Sequence, residues 1–333
     1  MTRQTDFGVC VTEYFTRHLA GLRNLSNNTI KSYRDTFCLL LQFLYEETKL
    51  KPEKVRLSSI TDETIKDFLA WLESNRGNCV STRNLRLAAI HAFYRYVLMQ
   101  HPELFMQAQR ILAIPLKKKD SKPVNYLPEN ILKDLLARPD QSNKYGIRDT
   151  ALLCLLYDSG ARVQEIIDLS LSDIRLETLA TVRLFGKGKK VRIVPLMAPT
   201  AKVLQKYLVA WKLNPKTKPD APLFVNHQGS RLTRPGVTYI LKKYMSEIEH
   251  GEKLVTPHVI RHSKAMHLLR ANVDLNYIRD FLGHVNTSTT EIYAKADAEM
   301  KRKALEKVHF DVPLESQTSW QKNENLMSWL QSL

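Results

Sequence analysis

Hydrophobic positions in the first hundred residues recur at helical rather than alternating intervals. Leu25-Ser26-Asn27-Asn28-Thr29 offers a helix start with Ser26 as N-cap, and Ile30, Tyr33, Phe37, Leu40, Leu41 and Leu44 follow at near-helical spacing. A second stretch, Thr61 to Leu72, puts Ile65, Phe68, Leu69 and Leu72 on one face. A third begins near Ser81 and carries Leu85, Leu87, Ile90, Phe93, Tyr94 and Val97, until Pro102 ends the pattern. Residues 113–128 (AIPLKKKDSKPVNYLP) then supply three prolines and four lysines, which predicts a linker. Helical patterns return over 129–137 and 147–158. TVRLFGKGKKVRIVPL changes the period: apolar and polar residues alternate on both sides of Gly186-Lys187-Gly188-Lys189, which predicts a β-hairpin. From Ala198 onward the pattern is helical again. The last stretch, SWQKNENLMSWLQSL, is an amphipathic helix candidate with Trp320, Leu326, Trp329, Leu330 and Leu333. It needs an apolar groove, on its own domain or on a neighbouring subunit.

Composition narrows the partner. The chain has 333 residues, 44% of them apolar, enough for two separate cores. Its formal net charge is +16 and its pI is about 9.6. The excess is shared, +6 up to residue 120 and +10 beyond, so no single basic tail carries it. A polyanion gripped along the whole chain fits that distribution. Cys10, Cys38, Cys79 and Cys154 lie far apart with no CxxC pair, which argues against a disulfide framework or a zinc cluster. The sequence has no signal-peptide core and no run of about 18 apolar residues, so the expectation is a cytoplasmic protein with reduced thiols and no membrane partner.

Four separated segments offer side chains suited to a phosphodiester. In Ser159-Gly160-Ala161-Arg162-Val163-Gln164-Glu165, Gly160 can close one helix in a left-handed turn. Arg162 then enters the next helix with Glu165 beside it, and a guanidinium there can fork onto two phosphate oxygens. The hairpin turn presents Lys187, able to protonate a leaving oxygen, though Lys189 and Lys190 are equally placed to touch phosphate. The spacing excludes a nucleotide-binding P-loop. In Thr256-Pro257-His258-Val259-Ile260-Arg261-His262, Thr256 is an N-cap and Pro257 the first helical residue. His258 and Arg261 then share one face at a helix start that already favours an anion. His258 and His262 also have a zinc spacing, but no carboxylate completes a site, and no metal is expected. In Leu282-Gly283-His284 through Tyr293, Gly283 ends a helix, His284 sits at the junction, and Ser288 with Glu291 caps a helix that carries Tyr293. Taken alone, Tyr293 reads as a core aromatic.

The order Arg – Lys – His-x-x-Arg – Gly-His – Tyr, over about residues 125–300, resembles the catalytic signature of the tyrosine recombinases, the family of phage lambda integrase and the bacterial Xer proteins. Leu25-Ser26-x-x-Thr29-x-x-x-Tyr33 and Thr82-x-x-x-Arg86-Leu87-x-Ala89 resemble the family's helical core-binding domain more softly. The resemblance implies a mainly α protein with a small β-sheet. Its parts would be a SAM-like core-binding domain at 1–115, a linker at 116–127, an α+β catalytic domain at 128–310 and a tail at 311–333, with the two domains forming a C-shaped clamp on DNA. It implies that Tyr293 is the nucleophile, that Arg162, Arg261, His258 and His284 bind the phosphate, that Lys187 is the general acid and that Glu165 supports them. No cofactor or metal is implied. Lys31, Arg83, Arg86, Lys189, Lys190 and Arg234 are the candidate DNA contacts. The implied partners are double-stranded DNA with a specific site and three further copies of the chain in a homotetramer, with a partner recombinase or DNA-bending protein as an optional component. Competing readings are a type IB topoisomerase, which uses the same nucleophile, and a DNA-binding protein that kept the fold without the activity.

Overall fold

The computed structural model describes residues 5–119, 124–177, 179–186, 190–248 and 255–283, together with Thr290 and Leu330. The chain forms two compact units that divide between Lys122 and Pro123.

The first unit is helical. It comprises α1 (Asp6–Glu13), continued in π-helical geometry over Tyr14–Leu22, then α2 (Asn27–Thr48), α3 (Asp62–Ser74), α4 (Val80–Gln100) and α5 (Phe105–Leu112). Ser26 caps α2 as expected, its hydroxyl accepting the Thr29 amide at 3.3 Å. The core gathers on Phe93, whose ring lies 4.9 Å from Phe37, 5.2 Å from Tyr14 and 6.1 Å from Phe7, all in edge-on contacts.

One expectation fails in this unit. Leu85 is exposed, because at 100° per residue it lies nearly opposite Leu87, Ile90 and Val97, which carry the buried stripe. Arg83 and Arg86, candidate DNA contacts on α4, hydrogen-bond within the unit. Arg83 is buried and donates to the Pro115 carbonyl at 3.2 Å. Arg86 donates through Nη1 to the Ser32 carbonyl at 2.9 Å and to Thr36 Oγ1 at 3.1 Å, tying α4 to α2. A long side chain near a helix face gains more from free carbonyls within reach than from solvent when its stem is already buried. Lys31, by contrast, is exposed on α2.

The second unit holds α6 (Glu129–Ala137), α7 (Lys144–Ser159), α8 (Val163–Ile167), β1 (Ile174–Arg175), β2 (Thr181–Phe185), β3 (Val191–Pro195), α9 (Ala198–Ala210), α10 (Arg234–Met245), α11 (Pro257–Arg270) and α12 (Leu275–Leu282). The strands form an antiparallel sheet in the order β1-β2-β3, with Val182 opposite Val194 and Leu184 opposite Arg192. β1 was not foreseen; two residues are too few for a period to register. Residues 211–233, expected within a helical region, hold none of these helices, since Pro215, Pro219, Pro222 and Gly229 interrupt any helical run. The central element is α7, which buries Ile147, Ala151, Leu152, Leu153, Leu155 and Leu156 and so contacts the core on most of its circumference.

Residues 124–127, expected in the linker, already pack on this unit. The Leu127 side chain is fully buried, and its amide donates to Ser263 Oγ at 2.7 Å. Its carbonyl pairs with His267 Nε2 at 2.9 Å, and His267 Nδ1 lies 3.0 Å from the Tyr157 hydroxyl. A carbonyl can only accept, so Nε2 carries the proton, and Nδ1 of the neutral ring accepts from Tyr157. Burial lowers the His267 pKa, which keeps the ring in that form. The latch fixes α11 to the chain entering the unit and to α7. Among the described residues no helix is long and apolar enough to cross a membrane.

Candidate functional site

Two helix ends and one helix start make the site. α7 stops at Gly160 (φ +54°) and α12 at Gly283 (φ +65°), both left-handed, as expected of these glycines. Left-handed termini leave their last carbonyls without intrahelical partners and the negative end of the helix dipole beside them, a setting that favours cations. The start of α11 lies against them. Thr256 caps it by accepting the Val259 amide at 3.4 Å, and Pro257 occupies the first turn.

Arg261 is buried and donates to both ends at once: Nη1 to the Gly160 carbonyl at 2.7 Å and Nη2 to the Leu282 carbonyl at 2.7 Å. Arg162, at the N-cap of α8, reaches the next carbonyl along, Gly283, at 3.4 Å through Nη2, and pairs with Glu165 Oε1 at 2.8 Å through Nη1. About a third of the Arg162 side chain stays exposed, while Glu165 is buried. The Glu165 Oε2 atom also accepts the Arg162 amide at 2.9 Å. Burial pushes the Glu165 carboxyl upward. The hydrogen bond and charge of Arg192, with the amide and guanidinium of Arg162, outweigh that and hold it below its usual value.

His258 reaches solvent at the first turn of α11. Partial loss of hydration, and then the positive charges of Arg261, Arg162 and Arg234, hold its pKa below 6.5. The ring is therefore neutral at pH 7 and can accept a proton. Arg234, a candidate DNA contact, donates through Nε to Gln164 Oε1 at 2.6 Å, which brings its charge to this cluster.

The hairpin joins the same group at its base. Gly186 donates its amide to the Lys190 carbonyl at 2.8 Å, and a Cβ built on it would stand 3.6 Å from Glu165 Oε1. Lys190 is exposed. Lys187, Lys189, His284, Tyr293 and the Ser288–Glu291 cap lie outside the described residues, as does the tail apart from Leu330. The structure thus unites Arg162, Glu165, His258 and Arg261 and brings the chain to the residues next to Lys187 and His284.

Sequence reasoning missed Arg192. It lies on β3, mostly buried, and donates through Nη2 to Glu165 Oε2 at 2.7 Å. The available signal was its phase: it alternates with Val191 and Ile193, which are exposed, and keeps step with buried Val194. A charge on the buried side of a strand calls for a partner.

Gly160 admits a direct test. A Cβ there would stand 2.9 Å from Leu282 Cδ2 and 3.1 Å from Phe281 Cε1, in a backbone region that L-residues avoid. Gly160→Ala should destabilise the protein by about 1–3 kcal/mol in thermal or urea unfolding. A loss below about 0.5 kcal/mol would show that the α7–α12 junction yields.

The sequence profile of the Phage integrase family matches residues 125–300, and that of the Phage integrase N-terminal SAM-like domain matches residues 12–101. The chain is 37% identical over 340 residues, covering 100% of both chains, to the putative integrase/recombinase y4rC of Sinorhizobium fredii (strain NBRC 101917 / NGR234). It is 36% identical over 288 residues, 84% of this chain and 87% of the other, to tyrosine recombinase XerC of Roseiflexus sp. (strain RS-1). Among solved structures, XerH recombinase in a post-cleavage complex with palindromic difH superimposes with a TM-score of 0.67 at 23% identity, covering 91% of this chain and 90% of that one. The Tn1549 transposon integrase with transposon right end DNA gives 0.67 at 18%, covering 90% and 99%.

Proposed function

The chain belongs to the phage integrase family and is a site-specific tyrosine recombinase, and from that premise we propose how its residues divide the work of strand exchange. Tyr293 attacks a phosphate of double-stranded DNA at a specific site. A phosphotyrosyl bond forms on the 3′ side and the bond to the 5′-oxygen breaks. The 5′-hydroxyl of a partner duplex then attacks that link, and two such rounds pass through a Holliday junction. Arg162 and Arg261 hold the non-bridging oxygens, His284 adds a hydrogen bond, His258 accepts the phenol proton and Lys187 protonates the departing oxygen. Glu165 orients Arg162. The bond energy stays in the phosphotyrosyl link, so the cycle needs no ATP and no metal. Two duplexes require four cleavages, which fits a homotetramer.

The observation that carries this reading is the joint at Leu282–Gly283. Carbonyls of these consecutive residues accept from Arg261 and from Arg162, so both guanidinium groups are held where the chain runs on to His284. Exposed Lys31, Lys190 and Arg234 remain the described candidates for phosphate contacts, and DNA affinity should fall steeply with salt if such contacts dominate. The test of the reading is a nicked suicide duplex carrying DNA from the flanks of the gene. A protein–DNA adduct mapped by mass spectrometry to the Tyr293 peptide supports it, and an adduct at another residue overturns it. The position of the adduct also tells whether the task is movement of a mobile element or resolution of chromosome dimers.

The proton-acceptor role gives a pH prediction. Only neutral imidazole accepts, and burial together with Arg261, Arg162 and Arg234 lowers the His258 pKa, so the acid limb of cleavage should lie at lower pH than an ordinary histidine would give, with little change on the alkaline side of neutrality. His258→Gln should be slow and should lack that acid limb. A variant retaining the same limb would move the acceptor role elsewhere.

A further inference from the structure

Arg192 stands in a place that the cleavage chemistry does not explain. Its guanidinium shares one carboxylate with a proposed phosphate donor: Arg192 takes Glu165 Oε2 at 2.7 Å while Arg162 takes Oε1 at 2.8 Å. It also lies under the end of α12. A Cβ built on Gly283 would stand 3.0 Å from Arg192 Nη1 and 3.4 Å from Arg192 Cδ, so this guanidinium packs directly on the backbone that leads to His284. The same Nη1 is 3.8 Å from a Cβ built on Gly186, one residue before Lys187. Its Nε is buried with no hydrogen-bond partner among the described residues.

We infer that Arg192 is a positioning residue for strand cleavage: it balances the buried Glu165 carboxylate so that Arg162 stays turned toward the phosphate, and it locks the hairpin and the Gly283 turn to that pair. The inference rests on the proposed role of Arg162 as a phosphate donor. The electrostatics give the reason. A buried carboxylate with a single cation draws that cation into a closed pair. With two cations on its two oxygens, the group keeps a net positive charge, and the more exposed of the two, Arg162, keeps donor capacity for a ligand. Arg192 is 14% exposed and Arg162 34%, so the inner guanidinium does the holding and the outer one is left for DNA.

The experiment uses the full chain and single-turnover cleavage of a nicked suicide duplex at saturating protein, with DNA affinity and thermal unfolding measured in parallel. Arg192→Met keeps the bulk of the stem and removes the charge. Cleavage should fall on the order of 10²-fold, the scale of one lost preorganised donor, while DNA affinity stays within about threefold. Arg192→Lys should recover roughly tenfold of that loss, because it restores the charge without the fork. Combining Arg192→Met with Glu165→Gln should cost no more than the worse single variant, because no buried charge is left unpaired. That double variant also keeps the test open if Arg192→Met alone fails to fold. Wild-type cleavage by folded Arg192→Met, or losses that simply multiply in the double variant, would overturn the inference. Failure of the underlying reading is told apart because the wild-type protein would then form no Tyr293 adduct.

Discussion

Tyr293→Phe should abolish the covalent protein–DNA adduct and leave DNA binding within about twofold of wild type. The change removes one oxygen and keeps the ring, so whatever the ring packs against is preserved. The chemistry has no substitute for that oxygen. A phenol with an ordinary pKa of about 10 is ionised to roughly one part in a thousand at pH 7, so attack needs an acceptor nearby and a positive field. In the proposed division of work His258, kept neutral first by burial and then by the charges of Arg261, Arg162 and Arg234, is the acceptor, and those guanidinium groups are the positive field. The assay is a nicked duplex resolved on a denaturing gel, beside a mobility-shift titration at fixed salt. An adduct persisting in Tyr293→Phe would remove this residue as nucleophile. Loss of binding together with cleavage would assign it a structural part instead.

Much of the site was legible because its parts announce themselves locally. Gly160 and Gly283 are where a helix must end in a left-handed residue, and Thr256-Pro257 is where one must begin; both signals depend only on near neighbours. The alternation around residues 186–189 likewise placed the hairpin. What escaped was long-range. Nothing near Arg192 in the chain reveals that Glu165, 27 positions earlier, will be its partner. Arg83 and Arg86 read as DNA contacts because charge on a helix is usually solvated. The carbonyls of Pro115 and Ser32 that they also meet are brought near only by folding. Arg234 has a neighbour that its local sequence does not show either: it is exposed, donates to Gln164, and adds, after burial, Arg261 and Arg162, to the lowering of the His258 pKa. Helix ends are encoded in short words. The partners of buried charges are chosen by the tertiary fold, where an unpaired one costs most.

That distinction makes Arg162 and Arg261 separable by experiment. Alanine at either should cost at least about 10²-fold in cleavage, since each removes donors fixed in place before the charge develops. Their effects on stability should differ. Arg261 is buried and joins three elements, its own helix α11 and the carbonyl ends of α7 and α12. Arg261→Ala strands the Gly160 and Leu282 carbonyls and should lower stability by about 3 kcal/mol, read as a clear drop in Tm. Arg261→Lys is not a remedy, because one ammonium cannot reproduce the geometry of a fork held on two carbonyls. Arg162 is a third exposed, and when it goes Glu165 still has Arg192, so Arg162→Ala should change Tm little. Single-turnover cleavage and thermal unfolding on the two variants decide the matter. Near-wild-type cleavage by either would strike that residue from the phosphate-binding set. Equal losses of stability would mean that the Glu165–Arg192 pair does not hold without Arg162, and that the carboxylate is balanced by the outer guanidinium rather than the inner one.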